Sequence, residues 1–140
     1  MGPLDPRSEP PALTKEMAGL AAMFLTSGVV HLLRPGVMVA MVPRSLPGPR
    51  KLIYVSGVAE LLCAGGLLHP RTRTIAGWGS AAVLLAVLPA NVQMAATARK
   101  RARRDTADIS KQAMLAATIA RLPLQVPLIR TALKAAGRLR

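Results

Sequence analysis

A single carboxylate sits at the centre of an apolar run, and few folds can accommodate it. Residues 52–68 are seventeen in number, and only Glu60 among them is charged, with eight residues on either side. A carboxylate at the midpoint of a hydrophobic helix costs roughly 2.5–3.5 kcal/mol on insertion scales. The rest of the chain must therefore bring polar partners to Glu60. That requires other helices packed around it.

Three further runs can supply those helices. Residues 17–33 carry no charge, and a helix through them can extend back to Lys15; residues 74–98 form a longer uncharged run, and residues 112–133 a more mixed one. Charged residues are only 18% of the chain, hydrophobic residues 51%, and mean hydropathy is +0.36. A soluble domain carries about 25% charged residues. The expected fold is all-α, an integral membrane four-helix bundle over residues 15–135. Its spans lie at about 15–33, 52–68, 74–98 and 112–133. Residues 1–14 hold four prolines and few apolar groups, so they are expected to be disordered, without the features of a cleavable signal peptide. Residues 136–140 form a basic tail.

The net charge of +13 invites a nucleic-acid reading, which the distribution argues against. The cations lie mainly between the apolar runs, where positive-inside topology and anionic lipid place them. Only Phe24, Tyr54 and Trp78 are aromatic, too few for base stacking. Membrane lipids, rather than nucleic acid, are the expected partners. The lone cysteine, Cys63, allows neither an internal disulfide nor a CxxC pair.

Local signals set the connections. Thr14 is placed to cap the first helix, and Pro35 ends it. The loop 34–51 contains an apolar stretch, Val37–Val42, too short to span; it either lies in the interface or dips into the bundle. The turn 69–73 is short, which makes spans two and three antiparallel neighbours. Pro89 is expected to kink span three. The connection 99–111 is strongly basic, and Asp108 or Ser110 can cap the fourth helix. That helix has an apolar face at Leu115, Ile119, Leu122, Val126, Ile129 and Leu133, and a polar stripe at Thr118, Arg121 and Gln125. It either lies flat on the membrane or crosses with the stripe turned inward. Loops 34–51 and 99–111 fall on one side and hold ten of the nineteen Lys and Arg residues, against eight on the other. That narrow margin puts them in the cytoplasm.

Depth then selects a set of polar residues. His31 ends span one, Glu60 is central in span two, Asn91 lies past the middle of span three, and Arg121 is central in span four. Ser56 shares the Glu60 face, and Gln125 the Arg121 face. If these faces converge, Arg121 is the expected partner of Glu60, with His31, Ser56, Asn91 and Gln125 completing the hydrogen bonds. An intramembrane ionisable group is by default a functional-site candidate. The same pair can instead fix helix register without any ligand. No pattern of metal ligands or nucleophile and base is present, so neither catalytic nor metal-binding residues are assigned.

Several short motifs run through residues 28–125. They are Gly28-x-x-His31, Pro35, Val42-Pro43, Leu46-Pro47, Ser56-Gly57-Val58-Ala59-Glu60 and Gly65-Gly66-Leu67-Leu68. Arg71-x-Arg73, Ala76-Gly77-Trp78, Pro89-Ala90-Asn91 and Arg121-Leu122-Pro123-Leu124-Gln125 follow. In order and spacing this resembles the DoxX-like family of small four-helix membrane proteins. The resemblance implies a bacterial cell membrane and association with membrane redox complexes, including quinone-linked thiosulfate oxidation. It marks His31, Glu60, Asn91, Arg121 and Gln125 as family-type positions. Where similar proteins have aromatics, this chain has Leu32 and Ala132, so its pocket differs. The expected function is binding of a quinone-like molecule, as an accessory subunit rather than a stand-alone enzyme, with electrons supplied by a partner redox protein. The alternative is an assembly or scaffold protein, which a homo-oligomer would also serve; a transport pathway would require oligomers.

Overall fold

The computed structural model describes residues 9–39, 42 and 44–140. It contains five helices: α1 (Lys15–Leu33), α2 (Pro35–Val39), α3 (Pro49–Leu68), α4 (Arg73–Arg104) and α5 (Ile109–Ala135). Four of them, all but α2, are long and apolar enough to cross a membrane, as a multi-pass membrane protein requires. No strand occurs among the described residues. The expected all-α bundle is present, with one short helix added.

The helix ends follow from local chemistry. Thr14 accepts from the Met17 amide at 3.2 Å and starts α1 where the sequence places it. Asp108, rather than Ser110, caps α5, accepting from the Ser110 amide at 2.9 Å and the Lys111 amide at 3.3 Å. α3 starts at Pro49, earlier than the uncharged run, because proline suits a first turn whose N–H has no partner. α4 continues through Pro89 and runs on to Arg104, so the basic segment 99–104 is helix and not loop. Arginine and lysine are good helix formers, and water hydrates their side chains past the membrane boundary. At 32 residues α4 is ~48 Å long, well beyond a hydrocarbon core of about 30 Å.

The long helices form a ring in which α1 packs on α3 and α5, and α4 packs on α3 and α5, with α2 resting against α1 and α3. The contiguous apolar cluster lies toward one end of the bundle, while Ile53, Ala98 and Ala102 are buried separately in the other half. The cluster's members are Met17, Leu20, Ala21 and Phe24 of α1, Cys63, Ala64 and Leu67 of α3, Ala76, Ala81 and Leu84 of α4, and Ala132 and Ala135 of α5. All of them lie in the half nearest the 69–72 turn. Small residues let the backbones close there: a Cβ on Gly77 would meet the backbone of Ala132 and Ala135.

That closed end is also fastened by polar contacts. Arg73 donates from Nε to the Leu67 carbonyl (2.8 Å), from Nη2 to the Leu68 carbonyl (3.2 Å) and from Nη1 to the Pro11 carbonyl (2.6 Å). It is buried, so it acts as a cap on α3 and an anchor for the segment before α1 rather than as a topological surface charge. The expected disorder of residues 1–14 therefore does not extend to Pro11; residues 1–8 lie outside the described residues. α5 ends in a Schellman turn at Gly137 (φ +74°), with the Arg138 amide donating to the Leu133 carbonyl and the Gly137 amide to that of Lys134. The expected basic tail begins in this turn, and its Arg138 guanidinium sits 5.4 Å above the Trp78 ring.

The exterior is apolar. Leu62, Ile75 and Val55 are each about two-thirds or more exposed, a surface suited to lipid rather than water. On α5, Ile119 and Val126 face outward and Thr118 and Gln125 are buried, whereas Arg121 of the same polar stripe is exposed and Ile129 and Leu133 of the apolar face pack against the core.

Candidate functional site

The site is built on a glycine contact between α1 and α3. A Cβ on Gly57 would lie 2.8 Å from the His31 Cβ and 3.1 Å from the Gly28 carbonyl oxygen, and a Cβ on Gly28 would lie 2.8 Å from the Gly57 carbonyl oxygen. Only glycine allows this approach. His31 and Glu60 each follow one of these glycines by three residues, one turn along the same face. They meet there, His31 Nδ1 to Glu60 Oε2, at 3.2 Å. Ser56 Oγ donates to the other carboxylate oxygen at 3.4 Å. Glu60 is 4% exposed, so these two contacts are its shield in the bundle interior.

This corrects the expected partner. Arg121 forms no ion pair with Glu60 among the described residues, and it is exposed. Depth along the bundle holds as expected, but depth says nothing about direction around a helix. α5 lies diagonally across the ring from α3, whereas α1 is in direct contact with it.

Arg121 nevertheless reaches the same space. Beyond the core, α3 and α4 part and leave a cleft of about 490 Å³. One wall is the α3 stripe from Leu52 to Glu60; the other is the α4 stripe from Ala82 to Met94. Ser27 and His31 of α1 form the back, Met38, Val42 and Leu46 cover one end, and Arg121 enters from α5. The stretch 37–42 thus dips toward the bundle at Met38 and Val42, while residues 40 and 41 lie outside the described residues. Leu52 and Val55 line the cleft while 41% and 67% exposed, which opens it sideways between α3 and α4.

The polar groups converge from four helices onto this largely aliphatic cleft. His31, Ser56, Glu60, Asn91 and Arg121 all line it. Asn91 is 5% exposed, and its Nδ2 has no hydrogen-bond partner among the described residues. A buried amide donor left unpaired costs about 1–3 kcal/mol, so a bound acceptor there would be stabilised. Gln125, expected in the cluster, does not line the cleft; it is buried elsewhere on the inner face of α5, with Oε1 likewise unpaired. The cover residues Met38 and Leu46 and the wall residue Met94 are not among the residues expected from the sequence, where their only signal is apolar character near the loop.

Taken together, the cleft is lined by Asn91, whose buried Nδ2 is unpaired among the described residues, by Arg121, and by a hydrogen-bonded imidazole–carboxylate pair. Such a set suits a hydrophobic molecule with a polar, oxygen-bearing head. Neither the curated proteins nor the solved structures contain a match to the chain. A family model described as a domain of unknown function, DUF8561, matches residues 20–136, nearly the whole helical domain. The protein belongs to the DUF8561 family.

Proposed function

We propose that the protein binds a lipid-soluble, quinone-like molecule in the α3–α4 cleft, as an accessory subunit of a membrane redox complex in a bacterial cell membrane. The observation that carries this is Asn91: a buried donor, unpaired among the described residues, on a residue lining an apolar cleft that also holds the His31–Glu60 pair. Asn91 Nδ2 donates to a ring carbonyl. The imidazole and carboxylate exchange a proton with the ligand oxygen as the ligand is reduced or oxidised, and the electrons pass to or from a partner protein. The match to DUF8561 lends no support to kinship with the DoxX-like family, so the reading rests on the cleft.

The second reading is a scaffold in which the cluster is structural. The His31–Glu60 bond next to the Gly28–Gly57 contact favours it, since that bond alone could hold α1 against α3. It leaves the cleft and the unpaired Asn91 donor without a purpose.

The test is titration of the detergent-solubilised full chain with a short-chain benzoquinone, read by thermal shift. Asn91→Leu should weaken binding about ten-fold, the loss of one hydrogen bond to a buried polar group. Glu60→Gln should retain binding better, because the amide can still bond His31. Equal binding by wild type and Asn91→Leu, at unchanged folding, would remove the assigned site.

A further inference from the structure

A second cleft of about 380 Å³ opens between the end of α4 and the start of α5, on the far side of Met94 from the first. We infer that it is a binding site for the phosphate head group and upper acyl chain of an anionic phospholipid. The inference does not depend on the quinone reading.

The first ground is depth. α4 is uncharged from Thr74 to Ala98 and then carries Arg99, Lys100, Arg101, Arg103 and Arg104. The cleft straddles that change, with Met94, Val37 and Met114 on its apolar side and Arg101, Ser110 and Lys111 on its polar side. It lies where hydrocarbon gives way to head groups.

The second ground is which charges are free. Lys111 is engaged, with Nζ 2.8 Å from Asp105 and 3.2 Å from Asp108. Asp108 is further occupied by the Ser110 and Lys111 amides. One lysine against two aspartates leaves this trio a net charge of −1, and Asp108 itself lines the cleft, so attraction for an anion rests on Arg101. Arg101 has no ion-pair or hydrogen-bond partner among the described residues and lines the cleft. Its planar fork suits a phosphate diester, and the Ser110 hydroxyl is a second donor. Residues two apart on a helix diverge by about 200°, so Arg99 and Arg103 point away from the cleft. A free phosphate or a nucleic acid would use Arg101 but would leave the Val37, Met94 and Met114 wall unfilled. A phospholipid uses both.

The floor is rigid enough to hold a ligand. Gln112 Nε2 donates to the Ala102 carbonyl at 3.1 Å, which ties the two helices beside the cleft. Ala98 and Ala102 are buried between them.

The full chain in detergent is titrated with phosphatidylglycerol, phosphatidylcholine or inorganic phosphate, with native mass spectrometry counting bound lipids and thermal unfolding reporting affinity. The expected result is one tightly held phosphatidylglycerol per chain in preference to phosphatidylcholine. Arg101→Gln should weaken it about five-fold, the effect of one cation near an anionic head group. Arg103→Gln, with the same net charge, should change it little, and Arg101→Lys should fall between. Equal losses for Arg101→Gln and Arg103→Gln would reduce the effect to general surface charge and overturn the site. Equal retention of phosphatidylcholine would overturn it too. So would protection by inorganic phosphate as strong as that by the lipid.

Discussion

Substituting Gly57 by alanine tests the core of the site geometry, because two opposing effects can be weighed. In a helix interior, Gly→Ala is favourable by about 0.8–1.0 kcal/mol. Against that, the new Cβ would lie 2.8 Å from the His31 Cβ and 3.1 Å from a backbone oxygen of α1. Ordinary carbon contacts are about 3.5–4.0 Å, so α1 must retreat by about 0.7–1.2 Å. Overpacking of that kind costs about 1–3 kcal/mol. The same retreat lengthens the His31–Glu60 contact from 3.2 Å to beyond hydrogen-bond range, leaving Ser56 as the only partner of a buried carboxylate among the described residues. That adds about 1–3 kcal/mol. The net expectation is a loss of about 1–5 kcal/mol, centred near 3. Gly65 on the same helix is the control, since a Cβ there would have nothing within 4 Å, and Gly65→Ala should be neutral or slightly stabilising. The assay is SDS- or heat-driven unfolding of the full chain in mild detergent. If Gly57→Ala proves as stable as Gly65→Ala, the glycine contact does not position the site.

Three other expectations follow from the same contacts. His31→Ala should destabilise the bundle by about 1–3 kcal/mol by removing one hydrogen-bond partner of the buried Glu60, and a double-mutant cycle with Glu60→Gln in detergent measures the coupling. Arg73→Leu should cost about 2–3 kcal/mol and expose residues 9–14 to limited proteolysis, because its guanidinium bonds three carbonyls, including that of Pro11. The Lys111 side chain and amide hold the Asp108 carboxyl below its ordinary value. Its capping contribution is therefore complete above the usual carboxylate pKa of about 3.9 and is lost as pH falls through the lower folded value. Hydrogen exchange at the Ser110 and Lys111 amides should accelerate in that acid range in wild type and be fast at neutral pH in Asp108→Ala.

What can be read from the sequence divides along a physical line. Spans are legible because lipid imposes a one-dimensional rule of length and charge, and α1 runs over the residues expected of it. The same rule misjudges α4, since it detects the membrane and not the helix, and Arg99–Arg104 leave one without ending the other. Site residues are legible by height, and four helices do bring His31, Glu60, Asn91 and Arg121 to one cleft. Direction around each helix is not legible, so charge complementarity points to Arg121 when the neighbour is His31. A signal for the true pair is present: Gly28-x-x-His31 and Gly57-x-x-Glu60 share one offset, and two glycines at a crossing carry whatever follows one turn later into contact. The role of Arg73 is hidden because a cation in a short turn looks topological unless the carbonyls at the preceding helix end are counted.

The position of the apolar cluster has a consequence for where a ligand can come from. With the apolar cluster packed from the 69–72 turn to about mid-depth, the cleft between α3 and α4 lies in the half nearer Leu52 and Asn91. A guest entering sideways must come from a single leaflet. A lipophile with its head in the opposite leaflet would have to flip before it could reach Asn91. The bundle would therefore sample one leaflet's pool, and reconstitution in asymmetric vesicles would reveal that preference as occupancy depending on the side to which the ligand is added.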